Sequence, residues 1–68
     1  MSMFFIYDCQ NHVVGNPKGY ATYTGAVREA EKRGSKAYQQ IWDAYYANER
    51  TMDDRRIWCV NDKGGWDA

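Results

Sequence analysis

The pattern of hydrophobic and polar positions predicts three β-strands. Residues 3–8 and 12–14 are rich in aromatic and β-branched side chains, which favours strands. The three residues between these segments predict a hairpin, and Asn11 is suited to the left-handed position of its turn. Residues 57–60 are also continuously apolar and predict the last strand of the sheet.

Helical periodicity begins after a turn at residues 16–19, whose Asn-Pro-Lys-Gly sequence is typical of type I. From Tyr23 onward, apolar residues recur at i, i+3, i+4 and i+7, which predicts one buried helix face. Thr22 or Thr24 is the predicted N-cap. Glu29 and Arg33 lie one turn apart on the polar face and are predicted to pair.

A second helix is predicted to follow almost without a linker. Gly34 is suited to end the first helix, and Ser35 is suited to cap the next. The same helical spacing then recurs in four large side chains: Tyr38, Ile41, Trp42 and Tyr45. Residues 49–56, which include Asp53 and Asp54, are predicted to form a charged loop.

The element order ββααβ predicts an α+β fold. We expect a single small domain over residues 1–68, with a three-stranded sheet and two helices on one face. Residues 62–68 are predicted to form a turn or a frayed tail. Strand alternation makes both faces of this sheet apolar, and two helices on one side would leave the other face open.

The chain has more aromatic side chains than so small a core requires. It contains three Trp, six Tyr and two Phe among 68 residues. Tyr38, Trp42 and Tyr46 form an i, i+4, i+8 stripe on the second predicted helix. Such a surplus favours an interaction surface. Two other outlets remain open, namely a tail that folds back with Trp66 against the open face, and a homodimer that buries that face.

Charge and composition exclude several classes of protein. Nine acidic and nine basic residues give zero net charge, so the strong overall field of many nucleic-acid-binding proteins is missing. No apolar run approaches the length of a membrane span, and no signal-peptide pattern is present at the N-terminus. We therefore expect a cytoplasmic protein, with Cys9 and Cys59 as buried thiols or, if their strands are neighbours, as a disulfide.

The residues offer little for catalysis or metal binding. His12 is the only histidine, and its three-residue spacing from Cys9 is more typical of a hairpin turn than of a nucleophile and its base. With Cys59 these residues supply three soft ligands, whereas a structural zinc site requires four. No glycine-rich phosphate loop is present. We predict a protein that is not an enzyme and that has no metal and no cofactor.

A basic segment supports an alternative function. Residues 18–36 hold five bases and two acids, a local charge of +3. Tyrosines beside these bases could stack on nucleobases, so the alternative is an RNA- or DNA-binding domain. Its candidate residues are Lys18, Tyr20, Tyr23, Arg28, Lys32 and Arg33.

The KGYATYTGA segment at residues 18–26, between a short hairpin and a charged helix, resembles a layout found in small accessory and early proteins of bacteriophages. Some proteins of that kind bind and inhibit host machinery. The resemblance implies a host-directed accessory or inhibitor protein. It covers about the first half of the chain, and no functional residue follows from it.

These observations together predict a small non-enzymatic protein-binding module. Its aromatic surface would dock on a protein partner, and a basic helix face would orient the complex. The predicted partner-binding residues are Tyr38, Trp42, Tyr46, Arg28, Lys32 and Arg33.

Overall fold

The computed structural model describes residues 2–49 and 55–66. These residues form a four-stranded sheet and two helices, which confirms the α+β class. The elements are β1 (Phe5–Tyr7), β2 (Val13–Val14), α1 (Tyr23–Lys32), β3 (Lys36–Tyr38), α2 (Ile41–Tyr46) and β4 (Ile57–Asn61). The strand order in the sheet is β2-β1-β4-β3, so the first and last predicted strands form the centre.

Local sequence signals account for the first half of the fold. Asn11 adopts a φ of 67° in the hairpin turn. Gly19 donates its backbone N–H to the carbonyl of Asn16, which closes the predicted turn. The Thr22 side chain accepts from the N–H of Gly25 as the N-cap of α1. These three turn and cap predictions are confirmed.

The predicted helix beginning at Ser35 is wrong, because residues 36–38 form strand β3. Gly34 has a φ of 86° and donates to the Glu31 carbonyl, while Ser35 donates to the Ala30 carbonyl. These are the two hydrogen bonds of a Schellman motif, so Ser35 completes the end of α1 instead of starting a new helix. Strand β3 then pairs in parallel with β4, and the sheet has four strands where three were predicted.

The prediction that both helices lie on one face is also wrong. On one face, Ala26 and Ala30 of α1 pack with Ile6 and Val60. On the other face, Ala44 of α2 packs with Ile57 and Cys59, which are alternate positions of β4, and with Trp66 of the C-terminal segment. The chain enters the sheet as β3 between the two helices. After β3 the chain can therefore continue on the face opposite α1. Helix α2 then forms the crossover connection between the parallel strands β3 and β4.

The C-terminal segment folds back onto the α2 face of the sheet. Trp66 is only 5% exposed. Its indole Nε1 donates to the Asp8 carbonyl at 2.8 Å, and its backbone N–H donates to Asn11 Oδ1 at 3.0 Å. Trp66 thus covers part of the face that a homodimer through an open sheet would have used. Residues 67 and 68 lie outside the described residues.

Asn61 holds this segment through one buried side chain. Its amide nitrogen donates to the carbonyls of Gln39 and Gly65, both at 2.8 Å. Its amide oxygen accepts from the N–H groups of Lys63 at 3.1 Å and Gly65 at 3.0 Å. The side chain therefore connects the end of β4 to the segment after β3 and to the tail. No role for Asn61 was predicted from the sequence.

Candidate functional site

The exposed aromatic surface of the described residues lies on α2. Trp42 is 59% exposed, Tyr45 46% and Tyr46 77%. These three side chains are here called the α2 aromatic cluster. Ile41, which precedes them, is also exposed. Exposed rings of this size are unusual on a helix that packs against a sheet, because their burial would stabilise the fold by several kcal/mol in total, at roughly 2 kcal/mol each.

The rings of the cluster contact one another. Trp42 lies edge-to-face with Tyr45, with ring centroids 5.8 Å apart. Tyr45 and Tyr46 are also edge-to-face at 5.7 Å, and Trp42 and Tyr46 lie 6.4 Å apart. Edge-to-face pairs at this separation are favourable. The cluster therefore presents a partly ordered apolar surface, which lowers the entropy cost of binding a partner.

The shortness of α2 explains why its rings stay outside. Only Ala44 of its six residues is buried, so one small side chain docks the helix on the sheet. The helix ends at Tyr46, with Ala47 as its C-cap. Asn48, with a φ of 65°, then turns the chain, and the N–H of Glu49 donates to the Ala44 carbonyl at 2.8 Å. The space around this methyl group is filled by Trp66 and Tyr38 from other segments, so the large side chains of α2 itself stay outside the core.

Tyr38 does not belong to this surface. It was predicted to share a helical stripe with Trp42 and Tyr46, but it lies on β3. Its half-buried ring packs against the core cluster on the α2 face of the sheet. Tyr45 was not among the predicted binding residues, although it contacts both exposed rings. Its signal in the sequence is the run of aromatic residues itself, once the helix starts at Ile41 and not at Ser35.

The predicted basic residues are separated from the aromatic cluster by the sheet. Arg28 and Lys32 are exposed on α1, and Arg33 is exposed at its C-cap, so all three lie with the helix that packs on the opposite face. Arg33 also donates through Nε to Glu29 Oε2 at 2.8 Å, the predicted i,i+4 pair. The two groups of predicted binding residues therefore form two surfaces and not one.

The two tyrosines on which the nucleic-acid alternative depends pack against other residues of the fold. Tyr20 packs against the α1 core, and its hydroxyl accepts from the backbone N–H of Asn16 at 3.0 Å. Tyr23 packs edge-to-face on Phe4 at 5.8 Å. Lys18 is exposed in the preceding turn. Neither tyrosine extends from the basic surface as a free stacking platform, so this alternative stays a prediction without a formed site.

The two cysteines are both free thiols. Cys59 is fully buried, and its thiol donates to the Gln39 carbonyl at 3.2 Å. Burial, followed by the nearby Asp43 carboxylate, raises the pKa of Cys59 to about 12. Cys9 is half-buried in the hairpin turn. His12, three residues on, lies exposed beside Asp8, with Nδ1 3.7 Å from a carboxylate oxygen.

The difference in burial between Cys9 and Cys59 predicts that an alkylating reagent modifies only one of the two thiols in the native protein. A thiol whose pKa is about 12 is almost entirely protonated at pH 8, and buried protonated thiols do not react. We expect iodoacetamide to modify Cys9 in the native protein and to modify Cys59 only after unfolding. Mass spectrometry of tryptic peptides with and without urea measures this. Equal modification of both cysteines in native protein would contradict the burial of Cys59.

Among the described residues, no group of three or more histidine, cysteine or acidic side chains is placed to hold a metal ion. The predicted loop residues Asp53 and Asp54 lie outside the described residues. No helix in the described part of the chain is long and apolar enough to cross a bilayer.

No family model, curated protein or solved structure matches this chain significantly.

Proposed function

We propose that this protein is a small non-enzymatic binding module that docks on another protein through the α2 aromatic cluster. The observation that carries the proposal is the exposure of Trp42, Tyr45 and Tyr46 on a helix held to the sheet through Ala44. Trp and Tyr are the residue types most enriched among binding hot spots. The folded domain supplies a support that keeps the rings together and in contact with solvent.

The chemistry of α2 favours a partner surface that carries both apolar and basic side chains. Asp43 is the only charged residue between Ile41 and Tyr46. The faces of aromatic rings attract lysine and arginine side chains, and an indole ring does so most strongly. A basic residue placed over Trp42 or Tyr46 would therefore add to apolar burial, whereas an acidic surface would meet Asp43.

We propose further that the protein acts in the cytoplasm and that the partner is a protein of a host cell, as the bacteriophage-like layout of residues 18–26 implies. Docking on a host protein would make the module an accessory or inhibitor protein. The basic surface of α1 faces away from the cluster, so it would act by steering the approach of an acidic partner region and not by contact at the same site.

Truncation of the cluster tests the docking surface. We expect Trp42→Ala and Tyr46→Ala each to weaken partner capture by more than about tenfold, because hot-spot rings contribute 2 kcal/mol or more. Both side chains are exposed, so the free energy of unfolding should change by less than about 1 kcal/mol. The measurement is affinity capture from host lysate, identification of the captured protein, and a binding titration with that protein.

Val13→Ala is the matched control, because Val13 is also a half-exposed apolar side chain, at 50%, but lies on β2. It should leave capture unchanged. Capture that survives both ring truncations would refute the docking surface, and so would unfolding of both variants. Sedimentation that shows the partner of α2 to be a second copy of this chain would replace the proposal by homodimerisation.

A further inference from the structure

A second surface feature is a cleft of about 310 Å³ at one edge of the sheet. Parallel strands β3 and β4 end at this edge, and the residues that follow each strand line the cleft. Gln39 and Gln40 come from the β3 side, and Asp62 and Lys63 from the β4 side. The crevice beyond the carboxyl ends of parallel strands is the usual ligand position in sheets with helical crossovers.

The inner wall of the cleft is aromatic. Phe4 and Tyr23 line it, with their rings edge-to-face at 5.8 Å, and Val60 forms its apolar base. Both rings are half-buried, so part of each ring surface faces the opening. Such a wall can accept a flat ring by contact with the exposed part of either ring.

The rim of the cleft is polar and held in place. Asn61 donates to the Gln39 carbonyl at 2.8 Å and accepts from the Lys63 N–H at 3.1 Å, so one buried side chain fixes both sides. The side-chain amides of Gln39 and Gln40 make no hydrogen bond to other described residues. Each offers a donor and an acceptor side by side, the pattern that matches the edge of a nucleobase.

We propose that this cleft binds a nucleoside monophosphate. The aromatic wall would contact the base, and the glutamine amides would read its edge. Asp62 would accept from a ribose hydroxyl, and the Lys63 ammonium would pair with the phosphate. The volume lies at the lower end for ligand pockets, which suits one nucleotide and not a dinucleotide.

The aromatic wall of this site and the α2 aromatic cluster lie on opposite faces of the sheet, and only Gln40, the N-cap residue of α2, adjoins both. Phe4 and Val60 belong to the α1 face of the sheet, whereas α2 packs on the other face. Failure of nucleotide binding would therefore leave the docking proposal intact, and failure of docking would leave the cleft intact.

Titration of the ¹⁵N-labelled 68-residue chain with AMP, adenosine, ribose 5-phosphate and inorganic phosphate tests the proposal. We expect AMP to shift the NMR signals of residues around the cleft, adenosine to shift the same signals more weakly, and inorganic phosphate to leave the glutamine side-chain signals unchanged. Gln40→Ala should lower the affinity for AMP roughly tenfold, as the loss of one contact to a base edge does. Lys63→Ala should lower the affinity for AMP but leave the affinity for adenosine unchanged, because adenosine has no phosphate.

Gln10→Ala and Lys18→Ala are matched controls, because both residues are exposed and lie outside the cleft. They should leave AMP binding unchanged. Absence of shifts with several millimolar AMP would overturn the proposal. So would equal shifts with inorganic phosphate alone, since these would indicate an anion at Lys63 without base recognition.

Discussion

Replacement of Trp66 by alanine is expected to lower the free energy of unfolding by about 3–5 kcal/mol. The indole is 5% exposed and packs with Ala44, Ile57 and Cys59 on the α2 face of the sheet. Its truncation leaves a cavity and removes the hydrogen bond from Nε1 to the Asp8 carbonyl. For a domain of this size such a loss removes much of the total stability. Urea denaturation followed by far-ultraviolet circular dichroism measures it.

Trp42→Ala is the matched control for this variant. It removes the same side chain from a position that is 59% exposed. We expect a loss below about 1 kcal/mol, because most of the ring is already in water. Similar losses in the two variants would contradict the assignment of one tryptophan to the core and the other to the surface.

Asn61→Leu is expected to lower the free energy of unfolding by about 3 kcal/mol or more, since each buried polar group left without a partner costs about 1–3 kcal/mol. Leucine has the same number and branching of side-chain heavy atoms and is somewhat larger, so the variant leaves no cavity and removes every hydrogen bond of the amide. It would remove the Asn61 partner of both backbone groups of Gly65, and it would leave the Gln39 carbonyl with only the weak Cys59 thiol donor. Thermal and urea unfolding, compared with the wild type, measure the effect.

Gln39→Ala controls for the region around Asn61. It keeps the backbone carbonyl that Asn61 contacts and removes only an exposed side chain. Its stability should stay within about 0.5 kcal/mol of the wild type. A loss in Asn61→Leu no larger than in this control would show that the hydrogen bonds of Asn61 do not hold the tail.

Elements with local signals could be predicted from the sequence. The cap at Thr22, the left-handed Asn11 and the Glu29–Arg33 pair each depend on neighbours within a few residues. The apolar segment that became β4 was also evident. In each case the local preference agrees with the tertiary fold.

Strand β3 could not be predicted in this way. Residues 36–38 have the sequence Lys-Ala-Tyr, which carries no β-branched side chain. Their conformation comes from pairing with β4, about twenty residues later, and strand preference depends strongly on such context. Without β3, the two helices follow each other directly along the chain, and this order predicts that both lie on the same face of the sheet.

Only part of the candidate site could be predicted, because Tyr38 lies on β3 and not on the helix that carries Trp42 and Tyr46. Trp42 and Tyr46 are exposed, as a docking role requires, but Tyr38 is half-buried on β3. The basic residues of α1 were grouped with the rings because sequence spacing does not show which face a helix covers. The burial of Trp66 and the contacts of Asn61 link distant segments, so only the folded structure places them.

The most direct test of the docking proposal uses the indole N–H signals of Trp42 and Trp66, assigned with the Trp42→Phe and Trp66→Phe variants. On titration with the captured partner, we expect the Trp42 signal to shift or broaden while the Trp66 signal keeps its position, because the first ring is exposed and the second is buried. An unmoved Trp42 signal, together with shifts confined to the backbone of α1, would contradict docking through α2.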